Sequence, residues 1–241
     1  MAEITRSLFA ADVLVAEIDP RRVAPSTLLP AEAAQVARAA AKRRREFAAG
    51  RLLARRLLGR LGVPEAFELL AGEDRAPIWP AGVVGTISHT SSRAAVAVAR
   101  AGDVLALGCD LEHDEPLDEG ILRRVCDPRE REWIASRPLA QRGRLAMLVF
   151  SAKEAAYKAQ YPLTGKILEF SDLSLDLDPG GTFRAAFQTD VGPWRRGQCL
   201  RGRWHRAGGL IATAVTIRPG ETGPGALHAA ARSKKEGRSG G

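Results

Sequence analysis

Three carboxylates and two lysines are the residues of this chain best suited to chemistry. Gly108-Cys109-Asp110-Leu111-Glu112 presents two of the carboxylates, and Phe150-Ser151-Ala152-Lys153-Glu154-Ala155-Ala156-Tyr157-Lys158 presents the third beside the lysines. An apolar run, Val104-Leu105-Ala106-Leu107, leads into the first stretch and reads as a buried strand. Side chains alternate along a strand, so Asp110 and Glu112 are expected on one side at its end. The second stretch is helical in character. Three carboxylates from two elements suit a hard divalent cation such as Mg²⁺, which takes oxygen ligands and completes its shell with water and substrate phosphate. The pattern points to phosphoryl transfer.

Each piece alone is ordinary. Asp-x-Glu after a strand is common in loops, and Glu154 and Lys158 have the spacing of a helix salt bridge contributing about 0.2–0.5 kcal/mol. Their order along the chain makes them informative together. Glu154 would both touch a metal and accept a proton, while Lys153 and Lys158 neutralise phosphate. His89 follows an apolar strand and precedes the hydroxyls of Thr90, Ser91 and Ser92. It reads either as a structural hydrogen-bond donor or as an imidazole beside phosphate. Arg43 and Arg51 stand eight apart with Phe47 between them, on roughly one helix face. Both could reach one anion, and the planar guanidinium fork suits phosphate.

Two rounds of elements must carry these groups. In the first, a strand over 12–18 precedes a Pro-rich loop and one long helix over 31–61, stopped by Gly62-Val63-Pro64. A Gly- and Pro-rich loop over 71–82 leads to strands at 83–87 and 94–100. After Gly102-Asp103 the second round opens with a strand over 104–111. Helices follow at 118–126, 128–136 and about 140–160, the last ending at Tyr161-Pro162. Strands are expected at 174–177, at 182–188 after the Asp178-Pro179-Gly180-Gly181 turn, and at 210–217. The pattern permits two similar α+β lobes, over 1–102 and 103–218, with 219–241 a disordered tail rich in Gly and charge.

Composition narrows the class. At 241 residues and 45% hydrophobic content the chain can build an ordinary core. No apolar run approaches the roughly 18 residues needed to span a bilayer, and the N-terminus lacks the apolar block of a signal peptide, so the protein reads as soluble, cytoplasmic and free of membrane. Cys109, Cys126 and Cys199 are odd in number, with no zinc-type spacing. The net charge of +8 is concentrated: residues 31–62 hold nine basic against two acidic side chains. A focused basic field implies an anionic partner such as a nucleotide, an acidic protein or nucleic acid.

The blocks Arg44-Arg45-Glu46-Phe47-Ala48-Ala49-Gly50-Arg51, Trp79-Pro80-Ala81-Gly82-Val83-Val84-Gly85-Thr86-Ile87-Ser88-His89, Gly108-x-Asp110-x-Glu112 and Lys153-Glu154-Ala155-x-x-Lys158 run in the order of the 4′-phosphopantetheinyl transferases. The chain resembles their large, pseudo-dimeric bacterial type, closest to the branch that includes the enterobactin-synthase component. The resemblance covers roughly residues 40–170. It implies two lobes related by a pseudo-twofold axis, each with a long helix on a small, mostly antiparallel sheet. It further implies transfer of the phosphopantetheine arm of coenzyme A to a serine of an apo acyl or peptidyl carrier protein, with release of 3′,5′-ADP.

Carried over residue by residue, Asp110, Glu112 and Glu154 would hold Mg²⁺ with the diphosphate of the coenzyme, and Glu154 would act as base toward the carrier serine. Lys158 and Lys153 would stabilise charge on the diphosphate. Arg43, Arg51, Ser88 and His89 would grip coenzyme A, including its 3′-phosphate, with Arg75 a weaker candidate. The resemblance also suggests a monomer serving acidic carrier domains of secondary metabolism. Departures from the pattern are Cys109 for an aliphatic residue, Thr86 and Thr90 for Ser and Cys, and Ala71 near a frequent lysine. The rivals are an inactive coenzyme A sensor and a basic nucleic-acid binder. The second lacks interleaved aromatics, since Phe47 alone lies in the basic stretch.

Overall fold

The computed structural model describes residues 3–221, so the expectation for the tail falls almost wholly outside the described residues. In the N-terminal part, β1 (Leu14–Ile18), β2 (Val83–His89) and β3 (Ala94–Arg100) form an antiparallel sheet in the order β1-β3-β2. Every residue of β3 but Arg100 is buried, because the strand is covered on both faces. Ala94, Val96 and Val98 face the long helix α2 (Ala41–Arg60) through Ala48, Ala49, Leu53, Ala54 and Leu57. Ala95, Ala97 and Ala99 face the other way, toward the second lobe.

The second lobe has five antiparallel strands in the order β4-β8-β7-β6-β5, namely β4 (Ala106–His113), β5 (Leu173–Asp178), β6 (Thr182–Phe187), β7 (Cys199–Ala207) and β8 (Leu210–Ile217). Against it packs the 26-residue helix α5 (Leu139–Thr164), with α3 (Glu119–Val125) and α4 (Pro128–Ala135) alongside. The layers therefore run α2, three-stranded sheet, five-stranded sheet, α5. Their three apolar interiors are built mainly from Ala, Val and Leu, and each fully buried Val or Leu contributes roughly 1.5–3 kcal/mol.

The seam between the sheets solves a backbone problem. β4 is an edge strand, and the N–H groups of Cys109 and Leu111 find no strand partner on that side. Two side chains of β2 accept them: Thr86 Oγ1 at 3.1 Å from Cys109 N, and Ser88 Oγ at 3.1 Å from Leu111 N. The two-residue spacing on both strands matches the strand period, so the hydroxyls replace a ladder of backbone bonds.

Three expectations need correction. The single helix over 31–61 is two, because a short helix α1 (Pro30–Gln35) ends in a turn over 36–40 before α2 begins. Nothing in Val36-Ala37-Arg38-Ala39-Ala40 breaks a helix by propensity. Instead α1 is pinned by Glu32, 1% exposed, whose carboxylate accepts from Leu69 N and the Arg55 guanidinium. The α5 helix runs past Pro162, which costs it one late hydrogen bond, and closes where Gly165 N donates to Tyr161 O. Strand β7 was not anticipated, because its outward residues Arg201, Arg203 and His205 obscure the inward alternation of Leu200, Gly202 and Trp204. Gly202 is small because the Phe183 ring lies where its Cβ would be, 2.1 Å away.

Candidate active site

Strand alternation sorts β4 into two faces. Leu107, Cys109 and Leu111 enter the core between the sheets, so Cys109 serves as a small apolar residue whose thiol burial pushes up to about 12. Gly108, Asp110 and Glu112 belong to the opposite alternation, the side on which α5 packs. Here Gly108 is essential to geometry, since a Cβ at that position would stand 1.9 Å from the backbone oxygen of Ala155. The α5 face it meets is Ala152, Ala155, Ala156 and Ala159, spaced at helical intervals and 0% exposed. Bare strand against bare helix lets the two backbones touch, and that approach brings the next turn of α5 onto the carboxylates.

Lys158 is what that turn delivers. Its Nζ donates to Asp110 Oδ1 at 2.7 Å, to the Cys109 carbonyl at 3.2 Å and to Ser88 Oγ at 3.4 Å. Burial opposes the charge of Lys158, but attraction and a hydrogen bond from Asp110, with Glu154 in support, outweigh it and raise its pKa. Ser88 also donates to Asp110 Oδ1 at 3.1 Å. The other oxygen, Oδ2, is buried with no hydrogen-bond partner. Glu112 is pushed up to about 7, first by burial and then by the charges of Asp110 and Glu154, which outweigh Lys158. Glu154 is likewise raised by burial, with Asp110 adding to the effect and Lys158 opposing it.

One lysine among three carboxylates leaves this corner short of positive charge. A divalent cation fits that deficit and would satisfy the orphan oxygen of Asp110. The carboxylates do not form a closed cage, since no three His, Cys, Asp or Glu side chains among the described residues converge as a metal-ligand group. Such openness suits Mg²⁺, which commonly takes one or two carboxylates and leaves its remaining positions to water and phosphate.

Across the seam stands a cationic group. An Arg43 N–H donates to His89 Nε2 at 2.6 Å. Arg51, 6% exposed, donates from Nε to Leu69 O at 2.9 Å and lies 3.7 Å over the Phe47 ring. Burial lowers its pKa to about 10, so it remains a cation at neutral pH. His89 is half-buried at the end of β2, one residue past Ser88, and thus bridges the two groups. Burial lowers its pKa; Arg43 and Lys158 act in the same direction, against Glu46 and Asp110. The imidazole is neutral at neutral pH.

Two expected residues stand elsewhere. Lys153 does not join Lys158 at the seam. Its side chain is 1% exposed, and its Nζ donates to Glu130 Oε2 and Val125 O at 2.8 Å and to Phe170 O at 2.9 Å. Five residues separate it from Lys158, about 140° around the helix, so one lysine enters the core of the lobe while the other meets β4. Arg75 is exposed at a φ of 66° in the loop over 72–77, and among the described residues no acidic side chain pairs it to the group around His89. That loop is fastened to α5 by Tyr161 Oη, which donates to Asp74 Oδ2 at 2.8 Å. Ala71 is held through its backbone by Gln35.

Sequence reasoning missed Glu130 and Glu46. The first was visible in principle: Asp127-Pro128-Arg129-Glu130 is a capping box, with Asp127 Oδ1 accepting from Glu130 N and Glu130 Oε2 accepting from Asp127 N. Beside Glu154, a cavity of about 150 Å³ is lined by Lys153, Tyr157, Leu168, Glu169, Phe170 and Leu173.

A cationic group and an acidic, lysine-bearing group thus face each other along one seam of a two-sheet α+β fold. That defines a class of protein suited to a polyphosphorylated ligand and a cation. Residues 31–99 match the family model described as the 4′-phosphopantetheinyl transferase N-terminal domain, and residues 106–208 match that of the 4′-phosphopantetheinyl transferase superfamily. The 4′-phosphopantetheinyl transferase Svp of Streptomyces mobaraensis is 46% identical over 200 residues, covering 80% of this chain and 79% of the relative. PptT of Mycobacterium tuberculosis is 36% identical over 217 residues, covering 86% and 92%. Enterobactin synthase component D of Escherichia coli K12 is 36% identical over 149 residues, covering 59% and 68%. The chain belongs to the 4′-phosphopantetheinyl transferase superfamily and is a transferase of the phosphopantetheine group to carrier proteins.

Proposed function

We propose that coenzyme A binds across the seam and that the acidic corner of β4 and α5 is where its diphosphate reacts. The observation that carries this reading is the contact of Lys158 with Asp110, beside an Asp110 oxygen that is buried and unpartnered. Arg43 and Arg51 hold phosphate groups of the coenzyme, the 3′-phosphate among them, and His89 takes part by holding Arg43. The guanidinium N–H groups give charge-assisted bonds in a partly dehydrated setting. Asp110 would hold Mg²⁺ through its unpartnered oxygen, with Glu112 and Glu154 at the same open corner, and the ion would supply charge neutralisation to the diphosphate.

Chemistry then asks the protein for positioning and for charge stabilisation, and the nucleophile comes from the partner. The serine hydroxyl of the apo carrier attacks the phosphorus that bears the pantetheine arm. Glu154, its basicity raised by burial, takes the hydroxyl proton directly or through one water. Lys158 stabilises the negative charge on the departing 3′,5′-ADP. The cavity beside Glu154, lined by Tyr157, Leu168, Phe170 and Leu173 together with Lys153 and Glu169, lies where the pantetheine arm would leave the diphosphate.

Two further points complete the reading. The chain works as a monomer, because the lobes 1–102 and 103–218 each bring one half of the site. Its basic α2 steers acidic acyl or peptidyl carrier domains in the cytoplasm. No helix among the described residues is long and apolar enough to cross a membrane.

Intact mass of an apo carrier after incubation with the protein, coenzyme A and Mg²⁺ tests this, with Glu154→Gln in parallel. A gain of one phosphopantetheine arm with the unmodified enzyme alone supports both the reaction and the residue. Carriers that stay apo while coenzyme A binds would instead favour the sensor reading.

A further inference from the structure

Glu46 is a buried carboxylate that the reaction above leaves without a task. It lies on α2, three residues beyond Arg43, and is 8% exposed. Its Oε2 stands 3.7 Å from His89 Nδ1, and Lys42 Nζ approaches its other oxygen at 3.8 Å. On the far edge of the ring, Nε2 meets the Arg43 guanidinium at 2.6 Å. An arginine N–H can only donate, so Nε2 must be the acceptor. The single proton of the neutral ring is then on Nδ1, facing Glu46. At 3.7 Å the carboxylate acts on that proton through its field, which favours a positive edge of the ring on its side.

We propose that Glu46 is a positioning residue for the anion grip, fixing the His89 tautomer so that Nε2 holds the Arg43 guanidinium in place for a phosphate of coenzyme A. The inference rests on the reading that Arg43 meets such a phosphate. Arg43 is exposed, and an exposed arginine gives up rotamer freedom when it is immobilised on binding. A guanidinium already held by a buried ring has lost part of that freedom before the ligand arrives. Only one of its five N–H donors is used on the ring in this geometry, leaving others for the anion. The relay is also short and rigid. It leaves α2 at Glu46, crosses to the end of β2 at His89, and returns to α2 at Arg43.

The test is Glu46→Gln, which preserves shape and removes the charge. Calorimetry is expected to show coenzyme A bound about tenfold more weakly, a difference of roughly 1.4 kcal/mol. The KM for coenzyme A rises in parallel, while kcat and the KM for the carrier stay within about twofold, as loss of ground-state binding requires. In an Arg43→Ala background the same substitution should add nothing. Equal losses in both backgrounds, or unchanged affinity in Glu46→Gln, would overturn the proposal. A ¹⁵N spectrum of histidine-labelled, ligand-free protein should show His89 protonated at Nδ1 and bare at Nε2. A proton on Nε2 defeats the proposal even if the variants do not fold. Should the unmodified protein bind no coenzyme A, the functional reading fails instead, and the tautomer remains readable without it.

Discussion

Lys153 and Lys158 share one helix and one short motif, yet they occupy different worlds. Lys158 reaches β4 and sits among three carboxylates at the seam, with its side chain 28% exposed. Lys153 points into the lobe, where a Glu130 side chain 2% exposed and two backbone carbonyls satisfy it. One cation is placed to meet a ligand. The other clamps α4, α5 and the start of β5 together, since Glu130 also caps α4 and accepts from Leu175 N. On the proposed function, a motif with two lysines divides its work between chemistry and architecture.

Removing the buried lysine gives the largest expected effect. Lys153→Ala leaves Glu130 without its counter-ion, and breaking such a pair costs about 3–5 kcal/mol. In a chain of this size that lowers the melting temperature on the order of 10 °C, read by calorimetry. Lys158→Ala should do the reverse. It should reduce transfer to the carrier roughly 100-fold or more, about 2.7 kcal/mol of barrier, and lower the melting temperature less than Lys153→Ala, because the Lys158 side chain is 28% exposed and water can reach the Asp110 it leaves. If Lys153→Ala kept its stability and lost transfer alone, the contrast between the two lysines would collapse.

Gly108→Ala probes the approach that makes the contrast possible. The new methyl group meets the Ala155 carbonyl, so α5 must retreat from β4, at a cost of about 1–3 kcal/mol. Transfer should fall further than stability, because Lys158 withdraws from Asp110. Wild-type rates in Gly108→Ala would show that the Lys158–Asp110 distance does not matter.

The smallest effect concerns pH. His89 faces Glu46 and Arg43 from α2, Lys158 from α5 and Asp110 from β4, and its pKa lies below the ordinary 6.5. The unfolded chain therefore takes up this proton before the folded protein does. Stability from His89 is full above pH 6.5 and is lost as pH falls from there toward the folded value. Urea midpoints measured between about pH 7.5 and about pH 5.5 should decline less steeply in His89→Gln. An identical slope would remove His89 from the account of the seam.

Much of this was legible in the chain itself. The alternation of Gly108, Asp110 and Glu112 and the helical spacing of Glu154 and Lys158 are local properties, set by periods of two and 3.6 residues that need no partner to be read. The same holds for β3, β4 and β8, whose apolar runs survive any packing. Tertiary structure decided which way those periods would face. Whether a lysine is reactive or structural depends on what lies opposite it, and for Lys153 that is Glu130, 23 residues earlier in the chain. The break between α1 and α2 is imposed by Leu69 and Arg55 on Glu32, against local propensity. The hydroxyls of Thr86 and Ser88 found their purpose only when an unpaired strand edge came to rest beside them. Periodicity is written in neighbours along the chain, whereas burial and charge pairing are set by neighbours in space.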